Sequence, residues 1–231
     1  MKIILPSFEI LTPISDNGVL ELQRIERAAR TCYKSEGKIT EDGESARKMV
    51  KMLLDKGHEA MMEHSDLSVK FITDRGVSHE LVRHRLCSFA QESTRWCDYS
   101  NEGKFEGGLT FVLPHEFDIP DVEAWFNGEE MQGELPKGFI LWFRTMKRAE
   151  EMYRKMRNEG CTPQLARSVL PNSLKTEIVV TANYREWRNI LKLRTAPDAH
   201  PDMRSLMNEL LKELVKQIPL IFDDIPIDWS I

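Results

Sequence analysis

Between residues 19 and 32 the apolar positions Leu22, Ile25, Ala28 and Ala29 recur at three- and four-residue intervals. That spacing puts them on one face of a helix. The stretch 43–57 repeats the pattern with Ala46, Met49, Val50, Leu53 and Leu54, and Gly57 is suited to cap its C-terminus. The rhythm then changes. "DLSVKFIT" (66–73) alternates, with Leu67, Val69 and Phe71 on one side, and predicts a strand. Asp74 stands where an N-cap is needed for a helix running through "VSHELVRHR" (77–85), with a loop expected beyond it. "MKIILPSFEIL" reads as a first strand and "LTFVLP" as another.

The second half of the chain is mostly helical. "PKGFILWFRTMKRAEEMYRKMRNEG" predicts a long helix ending at Gly160, with Phe139, Phe143, Met146 and Tyr153 in the core. "TPQLARSVLP" is a short helix stopped before Pro171. "LKTEIVVTAN" is a strand, "YREWRNILKLR" a helix, and 201–217 a last helix with Met203, Leu206, Met207, Leu210, Leu211 and Leu214 on one stripe. "NEGKFEGG" is a turn-rich spacer, and the acidic stretch 115–136, broken by proline and glycine, reads as a surface insertion. There is no repeat and no linker. Strands and helices mix without a regular βαβ beat, which favours an α+β fold: one domain over 1–231, with a central mixed or antiparallel sheet packed by helices.

Composition narrows the function. The 231 residues are 41% hydrophobic and 30% charged, with a net charge of −5. A general polyanion binder is usually basic, so nucleic acid is not the expected partner. No apolar run nears the roughly 18 residues of a membrane span, so no membrane is expected either. Pro6 and Glu9 interrupt the N-terminal run, which does not read as a signal peptide. The four cysteines form no CxxC pair and are expected to be reduced thiols in the cytoplasm.

Several familiar chemistries fail on counting. "HEAMMEH" (58–64) has Met62 where HExxH needs its second histidine, and "HELVR" has Arg83 there, so no metal is expected. Neither GxGxxG nor GxxxxGK[ST] occurs, so side chains must hold any nucleotide phosphate. Cys87 and Cys97 have no adjacent histidine suited to act as a base. What remains is cationic. "RHRLCSFAQESTRW" (83–96) gathers Arg83, Arg85 and Arg95 with short polar residues, while Arg167, Arg185 and Arg194 sit beside polar partners elsewhere. Guanidinium forks bind phosphate, and Ser or Thr hydroxyls complete such a cradle. Arg188 reads instead as a solvated helix cation. Ser93 has no neighbouring base, so its role is phosphate binding. His84, flanked by two arginines, is expected to have a lowered pKa.

These residues resemble a known family. Arg83-His84-Arg85, seven residues and then Ser93 match the RHR-x7-S signature of flavin-dependent thymidylate synthases. "GHEAMMEH", "ARSVLP" and "NYREWRNILKLR" agree with three further family segments in the same order. The resemblance, from about residue 20 to 215, implies a thymidylate synthase-complementing fold and an enzyme that methylates dUMP to dTMP. Methylenetetrahydrofolate would supply the carbon, and FAD reduced by NADPH the hydride. It implies a homotetramer with active sites shared between subunits.

The resemblance also assigns residues. His58, Arg83, His84, Arg85, Gln91, Asn183, Tyr184, Arg185 and Asn189 would bind the flavin. Glu80, Arg83, Gln91, Ser93, Arg95, Arg167 and Arg194 would bind dUMP, with Gln91, Ser93 and Arg95 coming from another subunit. Arg194 would be catalytic: a permanent cation beside the pyrimidine favours its electron-rich, N3-deprotonated form. His64 is expected to be structural. Ala60-Met61 and Trp96 depart from the family pattern, removing a hydroxyl and a phenol. The alternative reading is a single-stranded nucleic-acid binder using the Arg/Ser loop and Trp96.

Overall fold

The structure is a computed structural model describing residues 1–101, 103, 108–117, 119 and 135–229. Within these the strands are β1 (Lys2–Ile4), β2 (Ser7–Ile10), β3 (Asp66–Asp74), β4 (Ser88–Gln91), β5 (Thr110–Val112) and β6 (Lys175–Asn183). The helices are α1 (Val19–Tyr33), α2 (Glu44–Asp55), α3 (Arg75–Leu81), α4 (Lys137–Asn158), α5 (Pro163–Ala166), α6 (Tyr184–Arg194), α7 (Pro201–Gln217) and α8 (Pro219–Phe222). Most of the insertion expected at 115–136 lies outside the described residues.

The α+β class is borne out. One sheet pairs β1 with β5 in parallel, Lys2 against Thr110 and Ile4 against Val112. The other has the order β2-β3-β6-β4. Its central pair is antiparallel. The Tyr184 N–H donates to the Ser65 carbonyl, the Ser68 and Thr181 hydroxyls meet at 2.8 Å, and the Arg75 N–H donates to the Asn172 carbonyl. Residue numbers thus rise on one strand as they fall on the other.

The chain forms two compact units, each assembled from separate stretches. The first holds residues 1–7, 71–83 and 90–178; the second holds 8–70, 84–89 and 179–231. In the first unit Tyr99, Leu109, Phe111, Met146, Tyr153, Ala166 and Leu174 form one core cluster. Ile3, Leu113, Ile119 and Phe139 form another. In the second unit the stripes read from the sequence become the core. Leu22, Ile25 and Ala29 of α1, Ala46 and Val50 of α2, and Met203, Met207, Leu210, Leu211 and Leu214 of α7 are wholly buried. Each large aliphatic side chain so buried contributes roughly 1.5–3 kcal/mol.

Three expectations are corrected. The N-terminal run is two strands, split at Pro6, which has no N–H for a ladder. The helix after Asp74 is capped as expected, the carboxylate accepting from the Val77 N–H at 2.7 Å, but it ends at Leu81. The expected loop after it contains β4, where "SFAQ" alternates in exposure. Phe143 is only half-buried. Gly57 does close α2: it takes φ 67°, its N–H donates to Leu54, and the His58 N–H donates to Leu53.

Gly18 precedes α1 with φ 66°, and a β-carbon there would overlap the Ile218 side chain. Gly18→Ala combines a left-handed backbone with overpacking, and should destabilise the protein by about 1–3 kcal/mol or more. Urea unfolding of the two proteins measures the difference.

Candidate functional site

The first unit holds a cavity that takes Thr94 from the arginine-rich motif and the rest of its lining from elsewhere, while Ser93 and Arg95 lie outside that lining. After β4 the chain turns tightly: the Trp96 and Cys97 N–H groups donate to the Ser93 carbonyl at 3.1 and 2.8 Å. The Arg95 N–H lies 3.3 Å from the Ser93 hydroxyl, and Arg95 Nε donates to Gln164 Oε1 at 3.1 Å. Arg167 follows α5, which is started by the Thr162 side chain and Pro163, and its Nη1 donates to the buried Thr94 hydroxyl at 3.1 Å. Arg75, His79, Thr94, Gln164, Arg167 and Ser168 line a cavity of about 420 Å³. Gln91 uses its amide nitrogen internally, donating to Ser78 at 2.8 Å and Thr176 at 3.2 Å. Glu80 is half-buried on α3, and Arg83 is exposed just beyond the helix.

The second unit holds the other half of the motif against α6. Asn183 caps this helix, accepting from the Glu186 N–H at 2.9 Å. Glu59, Glu63, Asn183, Arg185, Glu186 and Asn189 face a cavity of about 590 Å³. Arg185 pairs with Glu63 at 2.6 Å, both about half exposed. His84 is buried, whereas its chain neighbours Arg83 and Arg85 are exposed. Arg194 Nε donates to His84 Nε2 at 3.0 Å, while His84 Nδ1 lies 3.6 Å from Glu186 Oε1.

The lowered pKa expected for His84 holds, but its cause differs. Burial comes first and the Arg194 charge second, with Glu186 opposing both. The flanking arginines are not the source. Burial, with the Glu186 charge, pushes the Cys87 thiol up to about 12.

The predicted residues thus fall into two sets. Glu80, Arg83, Gln91, Ser93, Arg95 and Arg167 lie in the first unit. His58, His84, Arg85, Asn183, Tyr184, Arg185, Asn189 and Arg194 lie in the second. His58 and His64 are exposed at the two ends of a 3-10 turn, so His64 is not a core residue. Tyr184 does not reach the cavity: it is wholly buried, edge-on to Phe222 at 6.0 Å. Arg188 is not a solvated cation either. It is 2% exposed and pairs with Asp224 at 2.6 Å and Glu59 at 3.4 Å. Sequence reasoning missed Arg75, His79 and Thr94 of the first cavity, and Glu63 and Glu186 of the second. Glu186 had a signal: Asn183-x-x-Glu186 has the spacing of a capping box.

An α+β protein whose arginines and amides face cavities of this size has the features of a nucleotide-handling enzyme. No helix of the described residues is long and apolar enough to cross a membrane. The family model described as thymidylate synthase complementing protein matches residues 20–220. A flavin-dependent thymidylate synthase of Corynebacterium aurimucosum is 35% identical over 225 residues, covering 92% of this chain and 83% of that protein. One from Mycolicibacterium gilvum is 32% identical, covering 88% and 79%. The chain belongs to this family of enzymes. The fold is also that of the crystal structure of a UMP/dUMP methylase, PolB, from Streptomyces cacaoi bound with 5-Br UMP. The TM-score is 0.70 at 20% identity, over 96% of this chain and 95% of that one.

A thiol with its pKa near 12 is about one-thousandth thiolate at pH 9. Cys87 should therefore be alkylated by iodoacetamide far more slowly than a free cysteine at that pH, and Cys87→Ala should keep its enzymatic activity. Peptide mass mapping of timed alkylation measures the first, and an activity assay the second.

Proposed function

We propose that this protein methylates dUMP to dTMP, with methylenetetrahydrofolate as carbon donor and FAD, reduced by NADPH, as cofactor. The reading rests on family membership, and one observation carries it to these residues: the motifs that resemble the family's nucleotide and flavin segments line two cavities. Arg167 faces one, and Asn183, Arg185 and Asn189 face the other. The PolB structure contains a brominated uridine nucleotide, which agrees with a uracil nucleotide as substrate.

A flavin fits the second set of residues. Arg185 and Asn189 are exposed and offer the guanidinium and amide donors that phosphate and ring carbonyls require. The Glu63 partner of Arg185 is no obstacle, because an exposed ion pair is worth only about 0–1 kcal/mol and a phosphate can replace the carboxylate. When bound, the flavin supplies the hydride.

The chain's own residues bind and polarise. Arg167, Arg95 and Ser93 hold the nucleotide phosphate, while Glu80, Arg83 and Gln91 orient the rest of dUMP. Both amide hydrogens of Gln91 are engaged within the chain, so its side-chain oxygen is the group for a ligand. Arg194 stands beside the pyrimidine and favours its N3-deprotonated form, raising electron density at C5. An arginine suits this role because it stays charged when buried. No cysteine adds to the ring, in keeping with the protonated Cys87. The protein acts in the cytoplasm as a homotetramer in which Arg194 of one chain and Arg95 of another meet the same dUMP.

Purified protein should be yellow, with flavin absorbance, and should form dTMP when given dUMP, methylenetetrahydrofolate and NADPH. A colourless protein that neither takes up FAD nor makes dTMP would sink the reading. Sharing of sites has its own test. Arg95→Ala and Arg194→Ala should each be inactive, and refolding the two together should restore a fraction of wild-type activity set by chain mixing. No recovery after proven chain exchange would place both arginines on one chain.

A further inference from the structure

The reading so far gives Glu186 no task, yet it is 7% exposed, a carboxylate buried beside His84. Its surroundings are specific. Asn189 Nδ2 approaches its two oxygens at 3.3 and 3.4 Å, and Oε1 lies 3.6 Å from His84 Nδ1. On the far side of the imidazole, His84 Nε2 receives the Arg194 Nε–H at 3.0 Å.

A neutral imidazole carries one N–H, and a guanidinium nitrogen only donates. The bond from Arg194 therefore requires a lone pair on Nε2, and the ring's single proton must sit on Nδ1, towards Glu186. We propose that Glu186 is a positioning residue: it holds His84 in the Nδ1–H tautomer, so that Nε2 accepts from Arg194 and fixes the guanidinium. The 3.6 Å separation is longer than a formed hydrogen bond. The carboxylate nonetheless decides on which nitrogen the proton is more stable, as second partners of histidine commonly do. The assigned role of Arg194 rests on the function proposed above; the tautomer does not.

The arrangement has a definite pH signature. The charged groups acting on His84 are Glu186 at one nitrogen and Arg194 at the other; its chain neighbours Arg83 and Arg85 are exposed, and the nearby Cys87 thiol stays protonated. Protonated His84 carries N–H on both nitrogens and cannot accept from Arg194. Activity is therefore lost as pH falls through the titration of His84. Glu186 favours the imidazolium and burial and Arg194 oppose it. Removing the carboxylate must then move that titration to lower pH, while loosening the tautomer at neutral pH.

The test uses the full-length protein labelled with ¹⁵N-histidine, with the His84 signals identified by their loss in His84→Asn. At pH 7.5 the wild type should show a neutral His84 protonated on Nδ1. Glu186→Gln should shift the population towards Nε2–H and lower the His84 titration midpoint. In dTMP formation Glu186→Gln should lose about tenfold to a hundredfold in kcat, the range for one hydrogen bond to a charged group. Its acid limb should move to lower pH, and Glu186→Asp should recover part of the loss. A wild-type His84 protonated on Nε2 would overturn the proposal, whether or not the variants fold. So would a Glu186→Gln protein with unchanged tautomer and midpoint. A wild type that forms no dTMP refutes the proposed function and leaves the tautomer measurement to decide this inference alone.

Discussion

Helix α6 must bury one side and work with the other, and its anchoring is the constraint on which the second unit depends. Trp187, Ile190 and Leu191 are wholly buried, and the Trp187 indole N–H donates to the Leu67 carbonyl of β3 at 2.9 Å. Arg188 ties the same helix to Asp224 near the C-terminus. A buried guanidinium left without its carboxylates would cost several kcal/mol, so this pair specifies where the helix lies. With the rotation of α6 fixed, its remaining side chains have no choice of direction. Glu186 and Arg194 are separated by eight positions, about 12 Å along the axis. Two long side chains converging on an intervening ring bridge that length, and His84 is the ring.

The same constraint explains what could be read from the sequence. Elements with a strong periodic stripe were legible: α7 spans 201–217 as expected, and α1, α2, β3, β6 and α6 fall where the apolar spacing put them. The stretch 82–91 was not, because its structure follows tertiary demands. The chain leaves the helix at Leu81, buries His84 and then pairs as β4; nothing local in "VRHRLCSFAQ" contains that information. Pro6 visibly interrupts the N-terminal apolar run, but that it separates two strands follows only from their different partners, β5 for β1 and β3 for β2. The motif residues stand out in the sequence because Arg and Ser are the types that a phosphate ligand would require. The residues that support them do not. Arg75 and His79 reach the first cavity from α3, and only folding brings them near Arg167. Tyr184 and Arg188 share a helix with Arg185 and Asn189 but occupy its buried side, a distinction that one-dimensional resemblance does not make.

A net charge of −5 coexists with a cluster of arginines. The partners of each cation explain this. Arg188 is matched by Glu59 and Asp224, Lys175 by Glu92 and Glu177, and Arg157 by Asp98. Such pairs consume positive potential locally and serve to join elements. Arg95 and Arg167 are held differently. Arg95 donates to Gln164 and Arg167 to Thr94, both neutral. A neutral acceptor orients a guanidinium without cancelling its charge, and Arg167, which lines the first cavity, keeps its charge available there.

That difference bears on how an acidic protein binds an anionic nucleotide. Long-range attraction is weak or unfavourable at net charge −5, and at physiological salt it is screened beyond about 8 Å. Binding must then come from groups at contact, where charge-assisted hydrogen bonds are short and strong. On the proposed function, Arg95 and Arg167, each already held by a neutral partner, would supply this with little ordering cost. Arg185 occupies the opposite position: it is matched with Glu63, and a phosphate there must exchange with a carboxylate. On the proposed reading a flavin phosphate would displace the Glu63 carboxylate at little cost, because an exposed ion pair holds Arg185 by only about 0–1 kcal/mol.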